Sequence, residues 1–304
     1  MFIALALALI SAMGACAQTA PPGPSGPATI PDVSVFLAQS RCADGALEVV
    51  ELRCAGAQPQ RARDPMLMRR RDWPAPDGFQ VTDALVADDG RSFVTLFSFP
   101  PFGPFDARKG DGGEVYVVDG PSVRIAATED GGQMHVVQGF YGAACGGTGW
   151  ILFRNDAPSG RWATTVARLR GEPIPSPCQA NRFALTRYRL EAVSLPFIIG
   201  GRRVDRTLPT VISEHFNAAT LARASAMERS LMAKDVGRVV WEAWSRRPPT
   251  ATDLAARCPG AVWSVAPEPG WYLDDCRYAT NITGTDGSMT GDRYAWPPAG
   301  TSLP

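Results

Sequence analysis

The chain has 304 residues, 45% of them hydrophobic and 20% charged, values that exclude an intrinsically disordered chain and allow a substantial core. Acidic and basic residues balance at 30 each, so nothing in the bulk charge favours nucleic acid or an anionic surface as the partner. Only Lys109 and Lys234 are lysines; the arginines are scattered, which reads as compositional bias rather than as a phosphate-recognition patch.

In chain order, residues 1–16 come first. Their apolar run from Phe2 to Ile10 is too short to span a bilayer of ~30 Å and matches the hydrophobic part of an export signal followed by small residues. Met13-Gly14-Ala15-Cys16 resembles the lipobox of bacterial lipoproteins, in which the cysteine is lipidated and becomes residue one. Ala15-Cys16-Ala17 also satisfies the small-x-small pattern of ordinary signal cleavage. Residues 17–31 are uncharged and rich in Pro and Gly, as expected of a semi-extended tether holding a domain off a membrane. No later stretch has the length and apolarity of a membrane-spanning helix.

Arg69-Arg70-Arg71 follows Met66, Leu67 and Met68 and reads as a short helical turn with a basic face. From there the body reads as short strands. Residues 79–86 and 92–99 flank Asp89-Gly90, a hairpin signal. Residues 114–118, 122–127 and 134–140 are separated by Asp119-Gly120-Pro121 and Asp130-Gly131-Gly132, the pattern of an antiparallel meander. Residues 149–154, 161–169 and 182–195 read as further strands. In the last of these Tyr188, Leu190 and Ala192 alternate with Arg187, Arg189 and Glu191, predicting one buried and one wet face. Residues 216–235 lack Gly and Pro and are rich in Ala, Leu, Met and Arg. They predict an amphipathic helix, capped by Asn217 and ended by Gly237. Residues 238–244 and 277–282 read as further strands. Prolines interrupt the chain after Arg247.

The fold class is therefore mainly β, or α+β: an antiparallel sheet or β-sandwich with one packed helix. The expected organisation is an export signal (1–16), a tether (17–31), a β domain (32–247) and a Pro-rich, disulfide-stapled extension of that domain (248–304).

Both processing routes at Cys16 leave six cysteines: Cys42, Cys54, Cys145, Cys178, Cys258 and Cys276. An even number suits an oxidising compartment. Pairing 42 with 54, 145 with 178 and 258 with 276 closes the shortest loops, each bridge contributing ~2–4 kcal/mol. Cys145 then staples the glycine loop around it rather than acting as a nucleophile, which needs a depressed pKa and a base. No spacing of Cys and His suits zinc, so no metal or cofactor is expected.

Candidate sites are few. Phe99, Phe102 and Phe105 lie in a Pro/Phe/Gly loop and suit an aromatic binding platform. Tyr141, Trp150 and Arg154 flank the glycine loop as a second binding candidate. Glu214-His215 has the composition of a base with an orienting carboxylate, but neighbours on a strand point to opposite faces. Glu114, Glu191 and Glu242 lie on strands, where a convergent pair at ~5–10 Å would suit glycoside hydrolysis. Trp263, Trp271 and Tyr272 are expected to pack under the third bridge. Asp274-Asp275 and residues 285–292 are calcium-like without the ligand spacing of a calcium loop.

Residues 227–244, with the lipobox-like Met13-Cys16, resemble bacterial envelope lipoproteins of unassigned function. There a helix runs into a glycine turn and then a strand of the type V-x-W/Y-E. Gly237, Val239, Trp241 and Glu242 fit, while Asp235 stands where a glycine is common. The resemblance implies a β-sheet envelope protein. The expected function is an exported, lipid-anchored protein of the periplasm or outer membrane, binding an envelope protein or glycan without catalysis and without nucleic acid. The alternative is a secreted hydrolase acting on glycans or cell wall through strand carboxylates.

Overall fold

The computed structural model describes residues 29–41, 58–59, 69–70, 80–86, 92–98, 112–130, 133–136, 150–170, 181–199, 202–248, 267–278 and 282–283. Among these the architecture is two seven-stranded sheets and a small two-stranded one. The small sheet pairs β1 (Ser40–Arg41) with β2 (Gln58–Pro59).

The first large sheet is an antiparallel meander of β3 (Arg69–Arg70), β4 (Gln80–Val86), β5 (Ser92–Ser98), β6 (Gly112–Asp119), β7 (Ser122–Asp130) and β8 (Gln133–Val136). β9 (Trp150–Arg154) pairs with the opposite end of the same edge of β7 that β8 occupies. The β6–β7 turn is Gly120-Pro121. Gly120 has φ 55° and proline holds φ near −65°, the sign pattern of a type II′ hairpin, whose twist suits antiparallel strands.

The second large sheet is built from β10 (Ala163–Arg170), β11 (Asn181–Ile199), β12 (Arg202–Phe216), β13 (Ala226–Ala233), β14 (Gly237–Ser245) and β15 (Tyr272–Tyr278), in that order and all antiparallel. β16 (Ile282–Thr283) joins the far end of β11 in parallel.

The two sheets face each other across one core. Val86, Phe93, Tyr116, Val123, Ile125, Leu152 and Phe153 of the first sheet meet Tyr188, Val211 and Met232 of the second. The segment after Ile30 closes one end. Ile30 donates its N–H to the Asn155 carbonyl (2.7 Å), and Phe36 meets Phe153 edge-on at 6.1 Å. Packing therefore begins at Ile30, inside the stretch read as tether. A second apolar cluster, including Val193, Ile212, Phe216, Leu231, Val240 and Trp244, covers the outer face of the second sheet.

Three expectations need correction. Residues 216–235 are not a helix. β12 ends at Phe216, residues 217–225 are a turn, and β13 follows. The only described helix is a single 3-10 turn, Val33–Phe36, capped by Asp32. β13 is a central strand, exposed at Ala226 and Glu228 and buried on both faces from Arg229 onward: Met227, Arg229 and Leu231 face outward with the second cluster, Ser230 and Met232 inward. Its hydrophobic pattern shows no period of two, and its helix-favouring composition was overridden by pairing on both sides. Asn217 caps no helix; its Oδ1 accepts the N–H groups of Ser225 and Ala226 (2.9 and 3.1 Å), pinning the turn. Arg69–Arg70 is strand rather than helical turn, paired with Val81 and Gln80. The face of β11 expected to be wet is instead partly covered, with Arg187 9% exposed, while Ala192 and Ser194 on the other face are exposed.

The β13–β14 hairpin explains the departure at Asp235. Its φ is 60°, a left-handed conformation that aspartate tolerates better than most residues. Its N–H donates to the Val35 carbonyl (2.6 Å) and its carboxylate accepts the Ser40 hydroxyl (2.9 Å), so the hairpin tip holds the N-terminal segment. Asp235→Ala keeps the strained φ and loses the Ser40 bond. It is expected to cost about 1–3 kcal/mol, and Asp235→Asn markedly less, in urea unfolding curves. Equal midpoints for the two variants would remove this account.

Candidate functional site: polar clusters on the two faces of the second sheet

Glu214 and His215 are adjacent on β12, and the pleat sends them to opposite faces, so they do not form a pair. Each instead belongs to a separate polar cluster.

On the outer face the register places Arg187, Glu214, Arg229, Glu242 and Cys276 directly opposite one another on five successive strands. Charges alternate along this row. Arg187 bonds Glu214 through Nε. Arg229 binds Glu214 twice, at 2.9 and 2.6 Å, and reaches Glu242 at 3.0 Å. The Trp244 indole N–H donates to the same Glu242 oxygen at 2.8 Å. Glu214 and Glu242 are fully buried. Aromatic faces line the cations: Arg187 stands 4.4 Å from the Trp162 ring and Arg229 5.1 Å from Trp244. Pro267 places its carbonyl on Arg187 (3.2 Å). Buried charges are tolerated only when paired and hydrogen-bonded, and the row meets that condition internally.

The inner face carries the second cluster, between the sheets. Glu114 on β6 pairs with Arg238 on β14 at 2.6 Å and accepts the Tyr116 hydroxyl at 2.5 Å. Burial acts to raise the Glu114 pKa, but Arg238 and the Tyr116 hydrogen bond outweigh it and hold it below the ordinary value. Burial raises the Tyr116 pKa, as does the adjacent Glu114. Burial opposes the Arg238 charge, yet Glu114 more than offsets this and raises its pKa. Beside this pair, His215 Nε2 lies 3.0 Å from Ser213 Oγ, and the Ser213 hydroxyl donates to the Leu152 carbonyl of β9. The Trp150 ring lies 5.0 Å from the imidazole, tilted by 44°. Burial pushes the His215 pKa down to about 4, against the pull of Glu114 and of the Leu152 backbone. At neutral pH His215 is uncharged.

Two bulges aim these groups. The β13–β14 register skips Val239, so Arg238 points to the inner face while Glu242, four residues on, points outward. The β7–β9 register skips Leu152, freeing its carbonyl for Ser213 of the other sheet.

Chemically, Ser213 and His215 have the spacing of a nucleophile and base. Both are buried, however, and the serine proton is committed to a carbonyl rather than to the imidazole. The strand carboxylates are not brought together. Glu114 and Glu242 serve opposite faces of the second sheet. Glu191 shares the outer face with Glu242 but lies three strands and two side-chain repeats away, about 20 Å, and pairs with Arg189 at 2.8 Å.

Of the binding candidates, Trp150 packs on His215, whereas Arg154 sits at the far end of β9, 3.8 Å from Asp156. Phe99, Phe102, Phe105 and Tyr141 lie outside the described residues, as do Cys16, Cys42, Cys54, Cys145, Cys178, Cys258, Trp263 and residues 285–292. Cys276 is buried and disulfide-bonded, its partner outside the described residues. Trp271 is buried against Phe216 at 5.8 Å, and Tyr272 is 41% exposed. Asp275 accepts from Arg277 and from the Cys276 N–H, both at 2.8 Å. Nothing in the sequence around Arg229 and Ser213 marks them as site residues; the row is visible only once the register is known. Comparison with family models, curated proteins and solved structures finds no match.

Proposed function

We propose that the chain is an exported, lipid-anchored envelope protein whose β-sandwich presents binding loops and performs no catalysis. The observation that carries this reading is the state of the described acid and base groups. Glu114, Glu214, Glu242, His215 and Ser213 are each consumed by partners within the fold. The resemblance at Met13-Cys16 and the Pro/Gly-rich stretch after it supply the anchor and stand-off. The expected bridges pair Cys42 with Cys54, Cys145 with Cys178 and Cys258 with Cys276. The partner is an envelope protein or glycan held by the Phe99–Phe105 loop and by Tyr141, Trp150 and Arg154.

The test has two arms. Palmitate labelling in a bacterial host, with the mass of the mature N-terminus, is expected to find a lipid on Cys16 that Cys16→Ala abolishes. Unlabelled protein beginning after Ala17 would remove the anchor. Incubation of the purified domain with peptidoglycan and a glycan panel is expected to release no product. Turnover that Glu114→Gln or Glu242→Gln abolishes would establish the hydrolase instead.

A further inference from the structure

Among the described residues, the inner polar cluster also supplies two polar ties between the sheets. One tie runs from Ser213 of β12 to the Leu152 carbonyl of β9, with His215 backing Ser213 and Trp150 closing over the ring. The other runs from Arg238 of β14 to Glu114 of β6. His215 is 4% exposed. With the Ser213 proton given to Leu152, Nε2 carries the hydrogen that bonds Ser213 Oγ, and Nδ1 is left to accept a proton.

We propose that His215 is a pH-sensitive latch: protonation at Nδ1 loosens the seam between β9 of one sheet and β12 of the other. The charges facing the ring decide the direction. Across the seam stand Glu114 and Tyr116. From the second sheet stand Arg238, on β14, and Glu228, opposite His215 on β13 and exposed to solvent. Thr186 is the neutral residue opposite on β11. Glu114, with 21% of its side chain exposed, is the carboxylate of this group that pulls on His215, and Arg238 and Tyr116 already occupy it. An imidazolium here therefore adds a second buried cation to one carboxylate, and the cheapest relief is access of water along the seam.

The sign follows from burial. A depressed folded pKa means the latch is fully closed above the ordinary histidine value of 6.5 and opens as pH falls toward about 4. Hydrogen exchange, corrected for intrinsic rates, is expected to show β9 and β12 amides losing at least tenfold protection between pH 7 and 4.5. β14–β15 amides should keep theirs. His215→Gln, which cannot charge, is expected to abolish that loss. Unchanged pH dependence in His215→Gln overturns the proposal. Should that variant fail to fold, proton NMR of the unaltered chain serves. It has two histidines, His135 and His215, and His135→Gln assigns them. A His215 midpoint near 6.5, or titration without loss of protection, also overturns it.

Discussion

Glu214→Ala is expected to cost about 3–5 kcal/mol of folding stability, read from urea unfolding at neutral pH. Glu214 is the shared anion of the outer row: Arg187 and Arg229 both converge on it, and it is fully buried. Its removal strands one guanidinium and halves the pairing of the other, in surroundings lined by Trp162, Phe216 and Trp244. Glu242→Ala should cost less, because Arg229 retains both bonds to Glu214. Replacing Arg187, Glu214, Arg229 and Glu242 together by apolar residues of similar volume is expected to recover much of the loss, since a buried ion pair seldom outperforms a packed apolar one. An alanine variant within 1 kcal/mol of the parent would show that the row is solvated in solution.

The second large effect is Arg238→Met, expected to cost about 3 kcal/mol at pH 7 and less as the solution is acidified. In the parent, Arg238 keeps the Glu114 pKa below its ordinary value of 4.5. That stabilisation is complete above this value and is lost as pH falls through the lower, folded one. In the variant burial acts on Glu114 unopposed by the guanidinium, so its pKa rises and the penalty applies while it is charged. The gap between parent and variant should therefore shrink from pH 7 to pH 4. Glu114 freed of Arg238 is open to the His215 imidazolium, so the two proteins are compared in a His215→Gln background, where only the Arg238–Glu114 pair differs. A gap that widens with acid would mean that Arg238 does not govern Glu114.

These effects depend on placements that differ in how readily they are read from the chain. The strands of the first meander follow from their turn residues: Gly120-Pro121 permits little but a reversal, and Ser122–Asp130 is flanked by such signals on both sides. The β12–β14 region resists the same reading. Met227, Arg229 and Leu231 face one apolar cluster while Ser230 and Met232 face inward, so neither face advertises itself by polarity. Arg229 in particular looks like the wet side of a helix and is in fact a buried cation between two carboxylates. The separation of Glu214 from His215 is legible in the residues themselves, because alternation along a strand is local geometry.

Short-range chemistry is legible in the chain: turn positions, strand direction along the meander, a mainly antiparallel β class, and six cysteines beyond the lipobox-like segment. Packing in three dimensions settled which strands are buried on both faces, where the bulges at Leu152 and Val239 fall, and hence which charged groups meet. The difference is one of range. A turn is decided by the residues within it, whereas the register of five strands is decided jointly by all the side chains that must pack and pair across them.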